Sequence, residues 1–380
     1  MKHSLHCYTE TQGWNKPLDS TLDSPNTLLI VFSSSRHSVT LRNELEKLGS
    51  MYPQSIIMGC SSAGEIFDED LLDDSITLAV IRFDNTRLKL AQTTIENPEQ
   101  SSEAGKIIAN ELLEDGLSAM FTLTDGLLVN GSDYISGLNR ILDENIVITG
   151  GMAADGDRFE ETWLICGNKI SPGMVAAVGF YGERFHIAHG SRGGWDLLGH
   201  EREVTRAENN VLYSLDSQPA LDVYKKYLGE RAAGLPATGL LFPLAISNHE
   251  SDKATVRTIL GINEEKKSIT FAGNIPEGSY VKLMRANFDR LIDGAAGAAE
   301  NLVTEDYDGS AAVCIAISCV GRRLVLGPRI EEELEAVREV IPDNSQLLGY
   351  YSYGEISPLG SGRCDLHNQT MTLTLFWEHD

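Results

Sequence analysis

The sequence predicts an α/β fold of mixed α+β character, in which repeated strand–helix–strand units with added antiparallel strands form two related halves packed around a ligand pocket. Three observations predict it. A single pattern of apolar run, helix-like stretch and second apolar run occurs three times along the chain. Each occurrence closes on a turn with two glycines separated by four residues and an acid directly behind. The 380 residues, 42% of them hydrophobic, exceed what one core usually supports, so more than one folded domain is expected.

The first copy begins with apolar residues 28–32, which lead into Ser33-Ser34-Ser35. Leu41, Leu45 and Leu48 follow one helical turn apart, giving a helix with a single buried stripe. A second apolar run ends at Met58, and the copy closes on Gly59-Cys60-Ser61-Ser62-Ala63-Gly64-Glu65. The second copy runs through 119–123, Thr124-Asp125-Gly126, a helix near 133–142 and a strand at 146–149, then closes on Gly151-Met152-Ala153-Ala154-Asp155-Gly156-Asp157. The third takes 311–317, Ser318-Cys319-Val320-Gly321-Arg322-Arg323, a helix at 331–340 with Leu334, Val337 and Val340 in register, and a strand at 346–348. Its closing turn is Gly349-Tyr350-Tyr351-Ser352-Tyr353-Gly354-Glu355.

Behind each turn lies another β-like run, at 75–83, at 162–166 continuing through 174–181, and at 370–377. Alternation and β-branched residues make these antiparallel partners of the copies. A different stretch, 190–298, separates the second copy from the third, with its own helices near 220–228 and 288–302 and a Pro- and Gly-rich connection at 234–243. The expected organisation is an N-terminal extension over 1–26, one domain over 27–218 and another over 219–380. Ligands of parallel strand–helix–strand sheets sit beyond the carboxyl ends of the strands, where these glycine turns lie.

Composition excludes several function classes. Lys and Arg number 31 against 55 Asp and Glu, a net charge of −24 that repels phosphate backbones and anionic lipid. Neither nucleic acid nor a membrane is an expected partner. Residues 1–14 lack the charged-then-apolar order of a signal peptide, and no apolar run approaches the roughly 20 residues that span a bilayer, so a cytoplasmic location is expected. Cys7, Cys60, Cys166, Cys314, Cys319 and Cys364 are scattered, without a CxxC pair or zinc-like spacing, and read as reduced, mostly buried thiols.

Paired glycines in a short turn let a ligand or another backbone approach closely. In the first turn Gly59, Cys60, Ser61, Ser62 and Gly64 offer amides and hydroxyls to a polar ligand. Glu65 stands where a phosphate-cradling loop carries Lys and Ser or Thr, so a nucleotide phosphate is not expected there. The Gly-x-Ser-x-Gly of a nucleophile elbow is absent as well, which leaves a hydrolase using Cys60 as an alternative without a recognised base. Glu65, Asp157 and Glu355 either face a ligand or accept backbone N–H bonds that fix their loops. Tyr350, Tyr351 and Tyr353 give the third turn aromatic walls with polar tips, suited to an amphipathic ligand or to the core. Arg192 and the pair Arg322-Arg323 lie beside glycines, where a cation either binds a carboxylate bidentately or forms a structural salt bridge.

Residues 58–65, Ile148-Thr149-Gly150-Gly151, Val204-Thr205-Arg206-Ala207 with Leu212-Tyr213, Ser318-Cys319-Val320-Gly321-Arg322, Gly349 to Glu355 and Asn368-Gln369-Thr370 together resemble the FIST family of sensory modules, over nearly the whole chain from Thr27. The resemblance implies recognition of an amino acid or related metabolite and signalling to a histidine kinase or cyclic-di-GMP enzyme. Gly59, Cys60, Ser61, Ser62, Gly64, Glu65, Arg322, Tyr351, Ser352, Tyr353, Glu355 and Asn368 are the expected ligand-binding residues. Some stand-alone relatives are haem proteins that sense nitric oxide. Haem b would be held non-covalently here, because CxxCH is absent, with axial ligands among His189, His200, His249 and His367. His249 is preferred because Ser247-Asn248-His249-Glu250-Ser251 departs from the family pattern, with His189 next. A ligand-free adaptor is the remaining alternative.

Overall fold

The computed structural model describes residues 1–247, 254–304, 307–358 and 362–379. An N-terminal strand β1 (Lys2–Thr9) precedes the first copy, which is β2 (Thr27–Ser34), α1 (Ser38–Met51) and β3 (Ile56–Ser62). β2 and β3 are parallel, with Val31 opposite Gly59. A short hairpin follows, β4 (Glu65–Phe67) and β5 (Asp70–Leu72), and β6 (Ile76–Arg82) returns antiparallel to β2.

The second copy repeats this order. β7 (Arg87–Thr94) and α2 (Ser101–Leu112) lead to β8 (Leu117–Thr124), α3 (Gly131–Asn139) and β9 (Val147–Met152), then to the hairpin β10 (Leu164–Cys166) and β11 (Lys169–Ser171) and the return strand β12 (Met174–Tyr181). β13 (Phe185–Arg192) comes next, and then an inserted segment whose eight-stranded sheet runs from Trp195–Glu208 to Tyr280–Ala286, with α4 (Ala220–Leu228) packed on it. The third copy comprises α5 (Phe288–Glu300), β14 (Ala312–Cys319), α6 (Val320–Leu326), α7 (Ile330–Arg338), β15 (Ser345–Ser352), the hairpin β16 (Gly354–Pro358) and β17 (Cys364–His367), and the return strand β18 (Met371–Glu378).

Each copy builds one sheet, and the three sheets share one strand order. They read β11-β10-β3-β2-β6-β1 with the short strand Gly13–Trp14 beyond it, β17-β16-β9-β8-β12-β7, and β5-β4-β15-β14-β18-β13. The hairpin at the start of each list comes from a different copy. β4 of copy one pairs β15 of copy three, β10 of copy two pairs β3 of copy one, and β16 of copy three pairs β9 of copy two. The exchange closes a ring. Strands from either side of residue 218 therefore share two of the three sheets, and residues 1–26 supply an integral edge strand.

The alternating side chains of the strands explain the layering. Leu28, Ile30 and Phe32 of β2, Phe121 and Leu123 of β8, and Ile315 and Ile317 of β14 face inward and merge into one central core. Leu29 and Val31 face the other way, onto the Leu41, Leu45 and Leu48 stripe of α1. Cys314 and Ala316 of β14 likewise pack with Leu291, Leu334 and Val337 of α5 and α7. Burying one such leucine is worth about 1.5–3 kcal/mol, so each helix is fixed by its stripe rather than by propensity.

Two expectations need correction. The stretch set apart at 190–298 is narrower, because Phe185–Arg192 is the edge strand of the third sheet and Phe288–Glu300 packs on that sheet; the insertion proper lies between them. In the second copy the glycine equivalent to Gly59 and Gly349 is Gly150, one residue before the one the sequence pattern selected. All three lie opposite a carbonyl of the neighbouring parallel strand, at Val31, Thr122 and Ala316, and a Cβ at any of them would collide with that oxygen. These glycines admit a neighbouring backbone.

Candidate ligand site

The three closing turns meet. The amide of Ala63 donates to the carbonyl of Tyr351 at 2.8 Å, and Tyr351 donates back to Gly64 at 2.9 Å. Ala154 donates to Ser61 at 3.0 Å, and the Tyr353 hydroxyl reaches Asp155 and the Gly156 carbonyl. Most of the residues singled out from the sequence lie inside this junction, shielded from solvent. Cys60, Ser61, Ser62, Glu65, Tyr351, Ser352, Tyr353, Glu355 and Asn368 are all buried. Tyr350 stacks on Phe32 with ring centroids 4.5 Å apart, and Tyr353 stacks on Phe159 at 4.8 Å.

The two turn glutamates have the same local role. Glu65 accepts from the Ser62 hydroxyl and from the amide and hydroxyl of Ser75, at 3.1 and 2.8 Å. Glu355 accepts from the Ser352 hydroxyl at 2.7 Å and from the amide and hydroxyl of Thr370, at 3.2 and 3.0 Å. Each clamps its turn to the start of the return strand. Burial pushes Glu65 up to about 7 and Glu355 up to about 8, against the hydrogen bonds that favour their charged forms. The second copy uses Asp155, which accepts the amides of Phe159, Glu160 and Glu161, whereas Asp157 is exposed.

Arg322 also belongs to the framework. Its side chain is 0% exposed and forks onto Glu333 at 3.0 and 2.7 Å, while donating to the carbonyls of Gly193 and Leu291. Ser318 and Tyr351 hydroxyls complete the Glu333 carboxylate, each donating to Oε1, at 3.0 and 2.9 Å. Asn368 accepts from the Thr258 amide and donates to the carbonyl of His367. Cys60 is fully buried, and desolvation raises its thiol well above the ordinary range, so it holds its proton at neutral pH.

Beside the junction, at the carboxyl ends of β2, β3, β9 and β14, opens a polar cleft of about 360 Å³. Each copy contributes one arginine to it: Arg36, Arg158 and Arg323. Arg323 donates to both oxygens of exposed Asp73 at 2.9 and 2.7 Å and to the Ala63 carbonyl, passing directly over Gly64, where a Cβ would block it. Arg158 donates to the Ser35 hydroxyl at 2.6 Å and lies 3.8 Å from Asp155. Asp74 and Asp157 also line the walls, as do Ser62, Gly64 and Glu65 from the sequence-predicted set. Arg36 and Arg158 escaped the sequence reading, although both follow closely on the carboxyl end of a predicted strand, the position where ligands of such sheets bind.

A second cavity, about 780 Å³, lies between β13, β17 and the insertion, with His189, His367, Arg192, Asn368, Val256 and Thr370 among its walls. Burial holds the imidazoles of His189 and His367 below the usual histidine range, hence neutral. His367 Nε2 lies 3.0 Å from the Ser357 carbonyl, and the Ser357 hydroxyl lies 3.5 Å from His189 Nδ1. His200 is exposed on the insertion, and His249 falls outside the described residues. No helix of the described residues is long and apolar enough to cross a membrane.

Among known proteins, an uncharacterised protein of Methanocaldococcus jannaschii is 23% identical over 372 residues, covering 87% of this chain and 69% of its own. The crystal structure of cyanuric acid hydrolase from A. caulinodans superposes with a TM-score of 0.36 and 8% identity over 99% of both chains. Residues 27–218 match the family model of the FIST N domain and residues 220–358 that of the FIST C domain, so the chain belongs to the FIST family.

Proposed function

We propose that this FIST protein is a sensor that binds an amino-acid-like metabolite in the polar cleft and passes its occupancy to a separate histidine kinase or cyclic-di-GMP enzyme. FIST domains are associated with sensory signalling and small-ligand binding. The observation that carries this reading is the meeting of three arginines, one from each copy, with exposed aspartates in one small cleft at the carboxyl ends of the parallel strands. Fixed cations and anions within a few ångströms of each other complement a zwitterion, whose carboxylate takes an arginine fork while its ammonium takes an aspartate. Arg323 is the first contact expected for the carboxylate, because its present partner, Asp73, is two-thirds exposed and can be displaced. Displacement would release the hairpin that copy one lends to the sheet of copy three. That gives ligand binding a mechanical output.

The test is a melting screen with the common amino acids, followed by calorimetric titration. A ligand at 100 times its dissociation constant adds roughly 2.7 kcal/mol of stability, an easily measured rise in Tm. Binding by at least one amino acid is expected, weakened tenfold or more by Arg323→Ala. A panel without effect, or equal affinity in the variant, removes the cleft as the ligand site.

A second reading places haem b in the larger cavity, favoured by two neutral imidazoles on one wall of about 780 Å³. The residues fit such a group: His189 would supply a nitrogen to hold the iron, the apolar side chains of Val147, Ile187 and Val256 would give it an apolar surface to pack on, and Arg192 would take a carboxylate. Bound there, haem would supply an iron site for nitric oxide. Expression with a haem precursor should then give a Soret band that is lost in His189→Ala, and a colourless protein eliminates this reading.

A further inference from the structure

The cavity of about 780 Å³ beside the insertion runs along the outer edge of β13. Every residue from Ile187 to Gly193 lines it. Strand side chains alternate between two faces, so an unbroken run of lining residues that includes Gly190 means that the backbone edge forms the wall. The hydrogen-bond phase of the third sheet shows which backbone groups point there. The Cys319 amide donates to the Thr370 carbonyl at 3.1 Å, which turns Thr370 and every second residue after it toward β14. Met371, Leu373, Leu375 and Trp377 turn the other way, onto Arg192, Gly190, Ala188 and His186. The N–H and C=O groups of Ile187, His189 and Ser191 therefore point away from the sheet, and among the described residues none of them has a hydrogen-bond partner.

The equivalent edges of the other two sheets are guarded. β1 is covered by Gly13–Trp14, and the Asn15 amide donates to the Cys7 carbonyl at 2.8 Å. β7 carries Arg87 and Lys89, charges that discourage a further strand. Between Ile187 and Ser191, β13 has no proline, no bulge and no charge, since burial keeps the His189 imidazole neutral. A bare edge of this kind selects one class of ligand, because only an extended chain repeats a donor and an acceptor at every second residue. At about 3.3 Å per residue, Ile187 to Ser191 matches an extended segment of about five residues. Val147, Val256 and Pro358 give its side chains apolar surface, and Arg192, 60% exposed and 3.9 Å from Glu300, suits a carboxylate at one end. On the opposite margin of the same sheet lies the hairpin of β4 and β5, beside which Arg323 holds Asp73.

We propose that the outer edge of β13 docks an extended peptide segment of the separate signalling enzyme, which joins the third sheet as an added strand. This contact rests on the reading that the signal leaves through a separate protein. Bound there, the segment shares one sheet with the hairpin whose release reports the metabolite.

The experiment is calorimetric titration and amide hydrogen exchange of the intact chain with a capped hexapeptide of alternating valine and threonine, made with aspartate at either end. Saturable binding is expected, with exchange at Ile187, His189 and Ser191 slowed at least tenfold. N-methylation of every peptide amide should weaken binding at least tenfold, because it removes the donors and leaves the side chains. Ser191→Pro and Ile187→Pro remove outward donors without touching the rungs to β18 and should weaken binding equally, each variant being checked by its melting curve. The proposal is overturned by the absence of saturable binding, by equal affinity of the N-methylated peptide, by self-association that protects the same amides in the free protein, or by a Soret band lost in His189→Ala, since haem would fill the cavity. Peptide binding without binding of any amino acid supports the docking edge and removes only the metabolite reading, whereas amino-acid binding without peptide binding overturns the edge and keeps that reading.

Discussion

Arg322 and Arg323 are neighbours in sequence and occupy opposite environments. One turn of α6 sends Arg322 inward, where Glu333 and two carbonyls enclose it, and sends Arg323 outward across Gly64 to an exposed aspartate. The same contrast separates the closed junction, in which the three turns hold one another, from the open cleft beside it. In the junction a charged side chain is a structural element, since desolvation makes its partner obligatory. In the cleft solvent screens the pair that Arg323 makes with Asp73, and that pair remains exchangeable.

Substitutions at the two sites test this contrast, and the largest effect is expected in the junction. Arg322→Ala strands the Glu333 carboxylate in the core and should cost about 3–5 kcal/mol in denaturant unfolding. Loss of less than about 1 kcal/mol would mean that the junction is as permissive as the cleft. Gly349→Ala comes next, at about 1–3 kcal/mol, because the new Cβ must displace the Ala316 carbonyl from the parallel ladder.

The turn glutamates give a smaller effect that depends on pH. Their folded pKa values, about 7 and about 8, lie above the unfolded value, so the native state binds the extra protons. Their contribution is fully present below about pH 4.5 and is lost as pH rises through 7 and then 8, with a slope of at most about 1.4 kcal/mol per pH unit for each carboxyl. Glu355→Gln should flatten the part of the stability profile that extends to pH 8, and an unchanged profile would show that this carboxyl does not titrate there. The smallest effect on stability is expected for Arg323→Ala, under about 1 kcal/mol because Asp73 is largely exposed, although the same change should weaken metabolite binding tenfold or more.

Much of this architecture could be read from the sequence because it rests on periodicity. The Leu41, Leu45 and Leu48 stripe, the apolar runs and the repeated turns mark out three strand–helix–strand units, and the structure contains all three. The exchange of hairpins could not be read in this way. A three-residue strand such as Glu65–Phe67 has a pleat but no signal naming the sheet it will join. The one-residue offset at Gly150 arose because Gly150 and Gly151 are adjacent, and only the carbonyl of Thr122 distinguishes them. The polar turn residues suggested an open site, but serines and glutamates that satisfy one another can be fully buried, as Ser62 with Glu65 and Ser352 with Glu355 demonstrate. Arg36 and Arg158 gave no signal beyond their closeness to strand ends. They gain meaning only when the ring brings three copies to one place.

That ring limits how such a molecule can come apart or come into being. A chain carrying one copy would have a hairpin with no sheet of its own to join and a sheet edge waiting for a neighbour's hairpin. Both needs are met when three identical chains assemble head to tail around a closed circle, a heterologous interface that stops growing at three. The single polypeptide meets both needs within one chain. Separate copies would be expected to associate as threes, and cutting the chain between copies should leave the pieces bound together.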